Sequence, residues 1–327
     1  MHDTYILDSK LHISEEGLKH GSRLLTKNNL LLLVRGSMLW NTIPICLNKN
    51  DVAFNQDVKG IIANDTINNE FLLYWLKSKE QRLKYMVTGT GLGAGKLDTS
   101  DLLSMIVYIP AMKEQDKVAR LLSLFDERIA TQSKIIEDLK KLKSAISKKL
   151  LCNDKWTTYK IQDIAEIGRG RVISSVEIDR QKHPLYPVYS SQTSNNGIMG
   201  YLDNYMFDGE YITWTTDGAN AGTVFYRIGK FNCTNVCGTL KILPKFDCYF
   251  VSLVLQQATQ KYVSSNLANP KLMNNTMASI KIRMPNIETQ KQLSKVFQTL
   301  DSCLLVHQRT CKMYLSEKQY LLRQMFI

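Results

Sequence analysis

Two stretches of the chain repeat one another at a fixed offset: "IPAMKEQDKVARLLSLFDERI" from Ile109 and "MPNIETQKQLSKVFQTLDSCL" from Met284. Pro110 matches Pro285, Gln115 matches Gln290, Asp126 matches Asp301 and Lys143 matches Lys318, each pair 175 residues apart. The register extends upstream without a gap, through Ser104 and Ser279, to Lys96-Leu97 and Lys271-Leu272. An internal repeat dictates architecture before any local reading. In the first copy Val118, Leu122, Phe125, Ile129, Ile136, Leu139, Ile146 and Leu150 alternate at spacings of four and three, the seam that lets one helix lie along another. Polar Gln132 and Lys143 interrupt it. The second copy carries Leu293, Phe297, Leu300, Leu304, Cys311, Tyr314, Leu321 and Met325, interrupted at the matching His307 and Lys318. This predicts helices over 114–151 and 289–326, packed antiparallel, with Val118, Leu122, Phe125, Ile129, Leu293, Phe297, Leu300 and Leu304 in the contact.

The 327 residues suit two domains at about 150 residues each, and the repeat makes them two matching halves. At 44% hydrophobic and 22% charged, the composition is that of a soluble globular protein. "NNLLLLVRG" and "FLLYWLK" are too short to span a bilayer, and "MHDTYILDSK" lacks the pattern of a secretory signal, so a cytoplasmic location is expected. Seven scattered cysteines read as reduced thiols. Cys233 and Cys237 have no second Cys or His pair nearby, so no metal is expected. A net charge of +12 suits a partner with a phosphate backbone, although "KKLKSAISKK" reads first as a solvated helix face.

Each half runs from short strands into a helix. Strands are expected at "NLLLLVRG", "IPICL" and "KGIIA", then at "YKIQDIAEI", "EYITWTT", "TVFYRI" and "TLKIL", with helices at "EFLLYWLKSKEQRLKYM" and "YFVSLVLQQATQKYV". The fold class is α+β: two mixed α/β domains, each followed by a long helix. The boundaries expected are 1–109, 110–152, 153–284 and 285–327. "GTGLGAGKL" is no phosphate loop, since Thr90 and Leu97 stand where Gly and Ser or Thr are needed. "IGRGRVI" has Ile173 in the third glycine's place of a dinucleotide fingerprint. The five histidines form no nucleophilic constellation, and no adenine-methyltransferase tetrapeptide of the Asn-Pro-Pro-aromatic type occurs. The chain is expected to bind rather than to catalyse, with no catalytic residues of its own.

"IPAMKEQDKVARLLSLFDERIATQSKIIEDLKKLKSAISKKLL", followed by "WTTYKIQDIAEIGRGR", closely resembles the central conserved region and second target-recognition domain of specificity subunits from type I restriction-modification systems. "LLLVRGSM" with "VAFNQDVKGII", and "YPVYSSQTSNNGIMGY" with "DGEYITWTTDG", look like stretches of such recognition domains. The resemblance spans almost the whole chain. It implies a non-catalytic subunit that reads double-stranded DNA and docks two methyltransferase subunits and, through them, restriction subunits. S-adenosylmethionine, ATP and magnesium would sit on those partners, none on this chain. It also implies two helices, each roughly 60 Å long, related by a pseudo-twofold axis, and a bipartite, asymmetric site. The first half lacks a counterpart of the opening at 156–171, so the first recognition domain is expected to be incomplete at its amino end. The alternatives are a truncated or silent specificity cassette, or the recognition part of a fused restriction-methylation enzyme.

Base readout needs Arg, Asn or Gln at base edges, with Ser, Thr and Lys on phosphates. In the second half the candidates are Arg169, Arg171, Ser190, Ser191, Gln192, Thr193, Asn195 and Asn196, supported by Thr215, Thr216 and Asn220. In the first half they are Arg35, Asn55, Gln56 and Lys59.

Overall fold

A computed structural model describes residues 4–9, 11–91, 93–151, 154–264 and 269–326; the expected domain boundary at Cys152 and Asn153 lies outside them. The chain forms two compact units, residues 1–136 with 306–327 and residues 137–305.

The first unit contains β1 (Tyr5–Ile6), α1 (Glu15–Gly21), β2 (Arg23–Leu25), β3 (Leu30–Leu33), β4 (Arg35–Gly36), β5 (Ile45–Asn48), β6 (Val52–Phe54), β7 (Val58–Ile61), α2 (Asn69–Ser78), α3 (Glu80–Tyr85), β8 (Val87–Gly89), β9 (Gly95–Leu97), α4 (Thr99–Leu103) and the first part of α5 (Met112–Leu150). Its main sheet has the order β1-β5-β3-β7. β3 is antiparallel to both neighbours, and β1 runs parallel to β5. The uninterrupted leucines of β3 follow from burial on both faces: Leu30 and Leu32 pack with Leu73 and Phe71 of α2, while Leu31 packs with Leu25 and Cys46. The single helix expected over "EFLLYWLKSKEQRLKYM" is broken at Lys79 (φ −93°, ψ 12°). There Ser78 Oγ donates back to the Trp75 carbonyl at 2.7 Å, and Lys79 Nζ reaches the Phe326 carbonyl at 2.5 Å.

The second unit contains the rest of α5, β10 (Thr157–Lys160), β11 (Ala165–Arg169), α6 (Ser175–Asp179), β12 (Tyr186–Tyr189), β13 (Ile198–Leu202), β14 (Glu210–Thr215), β15 (Val224–Ile228), β16 (Asn232–Cys233), β17 (Cys237–Ile242), α7 (Cys248–Ala258), α8 (Asn274–Ser279), β18 (Lys281–Met284) and the start of α9 (Ile287–Met325), whose last part belongs to the first unit. The main sheet has the order β11-β17-β14-β15, beside a smaller sheet β13-β12-β16 and the pair β10-β18. Ile212, Trp214, Val224 and Leu240 of the main sheet share one core with Phe250, Val251 and Val254 of α7. Trp214 is fully buried and lies so close to Gly238 that a Cβ there would sit 2.2 Å from its ring, so position 238 has to be glycine.

The two units share a frame. β3, β5, β7 and α2 follow one another as β14, β15, β17 and α7 do, central strand first, with the helix packed on β5 and on β15. The repeated residues have repeated jobs. Gln115 and Gln290 are each 1% exposed. Gln115 Oε1 accepts from the Asn68 amide at 2.8 Å, and Gln290 Oε1 accepts from the Asp247 amide at 2.9 Å. Asn68 and Asp247 are the N-caps of α2 and α7. The same glutamines donate to the carbonyls of Pro110 (3.0 Å) and Pro285 (2.8 Å). Each glutamine thus fixes a long helix to the start of a short one, and a buried amide can do that only with every polar atom paired. Asp126 accepts from the Tyr74 hydroxyl at 2.9 Å and Asp301 from the Tyr249 hydroxyl at 2.6 Å, and Tyr74 and Tyr249 are themselves 175 residues apart. Burial, then the neighbouring carboxylate, pushes both phenols above their ordinary range.

α5 and α9 pack together in each unit. In the first, Phe125 meets Tyr314 edge-on at 6.2 Å, Lys318 pairs with Asp126, and His307 Nδ1 lies 2.7 Å from Gln132 Oε1. In the second, Lys143 pairs with Asp301, and Ile146, Leu293, Phe297 and Leu300 join one core. Partner numbers fall along α9 as they rise along α5, so the contact is antiparallel. The polar interruptions of the seam are its hydrogen-bonded members. Both helices begin two residues before the positions expected, directly after the Pro110-Ala111 and Pro285-Asn286 steps, because a proline restricts what precedes it and leaves the next residues free to coil. The seam also ends differently: Met325 is 36% exposed while Phe326 is buried against Phe71, and Leu151 is buried more deeply than Leu150.

Burial grades the seam energetically. Phe297 and Leu122 are fully buried, whereas Phe125, Ile129 and Leu300 are half-buried. Phe297→Ala is expected to cost about 3–5 kcal/mol, and Phe125→Ala about half of that, measured as shifts in urea denaturation midpoint. Equal losses would contradict this ordering.

Lys77 closes α2 and donates to Thr4 Oγ1 at 2.7 Å. Burial, then the nearby Lys318 cation, lowers its pKa from 10.5 to about 8. Between those two values the unfolded chain binds a proton that the folded chain does not, so this group makes stability rise with pH across that window. Lys77→Met should raise stability at pH 7 by on the order of 1–3 kcal/mol and flatten the rise, as read from urea midpoints at pH 7 and 9.5. An unchanged pH profile would show that the amine is not desolvated.

Candidate nucleic-acid interface

The polar segments of the second unit converge at one end of its main sheet. Arg169 ends β11, opposite Gly238 on β17. The turn continues through Gly170, where a Cβ would sit 2.1 Å from the Cys233 carbonyl oxygen, so glycine alone lets the backbones approach. Arg171 N then donates to the Cys233 carbonyl (3.2 Å), and Thr234 N to the Tyr189 carbonyl (2.9 Å). The Arg169–Gly170–Arg171 turn is thereby tied to the start of the 190–196 loop. A second tie runs from Asn220 Nδ2 to the Ser191 carbonyl at 3.4 Å.

The loop is closed by Ser190 N donating to the Gly197 carbonyl at 2.9 Å. Asn195 (φ 48°), Asn196 (φ 54°) and Gly197 (φ 83°) turn it through the left-handed region, which Asn and Gly tolerate best. Thr193, Asn195 and Asn196 are exposed, Ser190 and Ser191 are half-buried, and Gln192 turns inward to donate to the Ile198 carbonyl. Below the loop Arg227 is 3% exposed, its guanidinium 3.6 Å from the Tyr189 ring centre and 4.4 Å from that of Phe225. Burial lowers its pKa, and Nε donates to Thr213 Oγ1 at 3.2 Å.

The two arginines are differently placed. Arg169 is exposed, donates to Thr216 Oγ1 at 3.0 Å and lies 3.8 Å from Asp217, whose other oxygen is 3.7 Å from Lys271. Two cations flank one carboxylate, leaving a net positive cluster. Arg171 forms a two-pronged pair with Glu177 and lowers that carboxyl's pKa. Its fork is already occupied. Thr215 and Thr216 are both buried, and Thr216 Oγ1 also donates to Asp217 Oδ2 at 2.8 Å, which braces the cluster.

In the first unit Arg35 and the 55–57 turn are neighbours: Val34 N and Arg35 N both donate to the Asp57 carbonyl, at 2.8 and 3.2 Å, and Asn55 Oδ1 accepts from Asp57 N at 3.1 Å. Gln56 and Lys59 are exposed beside them, Lys59 on β7. Arg35 pairs across with Lys96, as Asp217 does with Lys271, so the Lys-Leu part of the repeat sits at the same place in both units. Leu97 N to Val34 O (2.8 Å) and Leu272 N to Thr216 O (2.9 Å) complete the match.

The described residues hold no cluster of His, Cys, Asp or Glu able to bind a metal, and no helix among them is long and apolar enough to cross a membrane. A family model, the type I restriction modification DNA specificity domain, matches residues 6–141 and 153–312. The chain belongs to this family. Among its relatives, a Mycoplasma pneumoniae type I specificity subunit, S.MpnORF201P, is 38% identical over 193 residues, which is 58% of this chain and 80% of the relative. The N-terminus of S.MpnORF289P from the same organism is 46% identical over 147 residues, 43% of this chain and 76% of the relative. The fold is similar to that of the Mycoplasma genitalium type I S subunit, with a TM-score of 0.75 at 20% identity over 100% of this chain and 89% of that one. As a specificity-domain protein, the chain carries features that the sequence did not announce. Lys271 was visible only as half of a repeated Lys-Leu. Asp217, Glu177 and Arg227 gave no signal, because the roles of Asp217 and Arg227 depend on strand pairing and that of Glu177 on the short helix after the turn.

Proposed function

We propose that this chain is the non-catalytic, DNA-reading subunit of a type I restriction-modification complex in the cytoplasm. It binds double-stranded DNA and two methyltransferase subunits, with restriction subunits joining through them; S-adenosylmethionine, ATP and magnesium belong to those partners. Each half reads one short block, so the site is bipartite and asymmetric. The observation that carries this reading is the frame built twice from diverged residues, with Arg169, Lys271 and the 190–196 loop at one sheet end and Arg35 with Asn55, Gln56 and Lys59 at the matching place. Two such surfaces can both reach the major groove if their blocks lie about one helical turn apart, roughly 10 base pairs centre to centre. Methylome sequencing of a host carrying the cognate methyltransferase genes, with and without this gene, tests it. Two short adenine-methylated blocks separated by unread bases are expected; a continuous palindrome would refute the reading.

Arg169→Ala should weaken binding to all duplexes alike and flatten the salt slope by about one counterion, since an exposed guanidinium in a net positive cluster suits a phosphate. Arg171→Ala should do less, because its charge is already neutralised by Glu177. Fluorescence anisotropy across a salt series measures both. A larger loss at Arg171 would mean that the Glu177 pair opens on DNA.

A further inference from the structure

Arg227 is a buried cation with no acid beside it. It lies on β15 opposite Tyr211 of β14, is 3% exposed, and its Nε donates to Thr213 Oγ1 at 3.2 Å. Among the described residues no carboxylate pairs with it, and the titratable groups it faces are Tyr189, Cys233 and Cys237. Burial pushes the Cys237 thiol up to about 11 and raises the Cys233 thiol as well, so both are neutral near pH 7. A buried charge without a counter-ion is costly, and an apolar side chain of similar volume is often the more stable choice. The fold does not demand a cation here. In the shared frame β5 takes the place of β15, and its Ile45, Cys46, Leu47 and Asn48 are all buried and uncharged.

The guanidinium instead touches both roots of the 190–197 loop. Tyr189, the residue before the loop, offers its ring at 3.6 Å, a planar stack that a lysine would not reproduce. Gly197 ends the loop with φ 83°, and a Cβ there would lie 3.1 Å from Arg227 Nη2. The roots are joined by Ser190 N donating to the Gly197 carbonyl at 2.9 Å, and between them Thr193, Asn195 and Asn196 are exposed. Resting on the DNA-reading role of this loop, we propose that Arg227 is a positioning residue for sequence reading: its guanidinium clamps both roots and holds Thr193, Asn195 and Asn196 in the conformation that meets base edges. The clamp lowers folding stability and supplies discrimination between sequences.

The full chain carrying Arg227→Met is measured in three ways. Its urea midpoint should hold or rise, because the substitution removes an uncompensated buried charge and keeps an unbranched apolar stem. Hydrogen exchange at the Ser190 amide should quicken by about tenfold or more, while the amides of β14 and β17 keep their protection. Binding is compared between the cognate duplex found by methylome sequencing and one whose second-unit block is scrambled. The affinity ratio should fall by about tenfold or more, at nearly unchanged affinity for the scrambled duplex. Arg227→Lys keeps the charge without the planar stack and should not restore the ratio. A lowered midpoint with loss of all DNA binding would make Arg227 a residue of the core alone and overturn the proposal. So would an unchanged Ser190 exchange rate, an unchanged ratio in the Met variant, or recovery of the ratio with Lys. An unaltered chain that does not tell the two duplexes apart would refute the DNA-reading role itself, and the proposal with it.

Discussion

Asp126→Ala is expected to destabilise the first unit by about 3–5 kcal/mol, because it strands a buried cation. The Asp126 carboxylate accepts from both Tyr74 and Lys318, and the side chains of Lys318 and Asp126 are only 10% and 16% exposed. Lys318 Nζ also lies 5.2 Å from the Tyr74 ring centre. Without the carboxylate the Lys318 ammonium loses its acceptor where water has little access, while the Tyr74 hydroxyl keeps only the Tyr5 hydroxyl at 3.2 Å. Asp301→Ala removes the same residue from the same motif. There Lys143 and Asp301 are 25% and 40% exposed, so water can take over part of the lost contacts. A cost of about 1–2 kcal/mol is expected, mostly from the Tyr249 hydroxyl. Urea unfolding of the two variants decides between burial and motif identity. Equal losses would mean that the motif, not its burial, sets the energy. The double variant Asp126→Ala with Lys318→Met should regain part of the loss, since it removes the stranded charge.

The repeat was legible because its matched residues keep one offset of 175, and part of what they do is local. A glutamine five residues after a proline can reach that proline's carbonyl wherever a helix starts between them, and Gln115 and Gln290 do so. Strand positions were legible too, since "EYITWTT" and "TVFYRI" combine β-branched and aromatic residues between turns. What remained hidden depends on turns and strand pairings that spacing does not reveal. The Arg171 fork closes on Glu177 only because a short helix follows the turn, and Arg169 meets Asp217 and Lys271 only through the β11-β17-β14 pairing. The segment 156–171 was legible only in part, since spacing alone did not say that it supplies a strand, β10 against β18, as well as core residues. The break at Lys79 was hidden for a different reason: "EFLLYWLKSKEQRLKYM" favours helix throughout, and Ser78 back-bonding overrides it.

Exchanging residues 153–284 for the corresponding segment of another specificity subunit is expected to replace one block of the DNA site, leaving the other block and the gap unchanged. The exchanged segment holds Arg169, Arg171, the 190–196 loop and Lys271 but none of Arg35, Asn55, Gln56 or Lys59. It also carries its own N-cap for Gln290, since Asp247 lies within it, so a donor that keeps a capping residue and the following tyrosine should dock on α9 as the native segment does. Each mismatched base pair costs about 1–3 kcal/mol, nearly additively, so losing a block of several pairs should lower affinity for the old site by about a thousandfold or more. Methylome sequencing reads the new block, and binding to duplexes with each block scrambled separately reads the loss. If both blocks change together, the halves do not read independently. If neither changes, the base-reading contacts lie outside the 153–284 segment, and Arg169 with its neighbours can contribute no more than phosphate contacts.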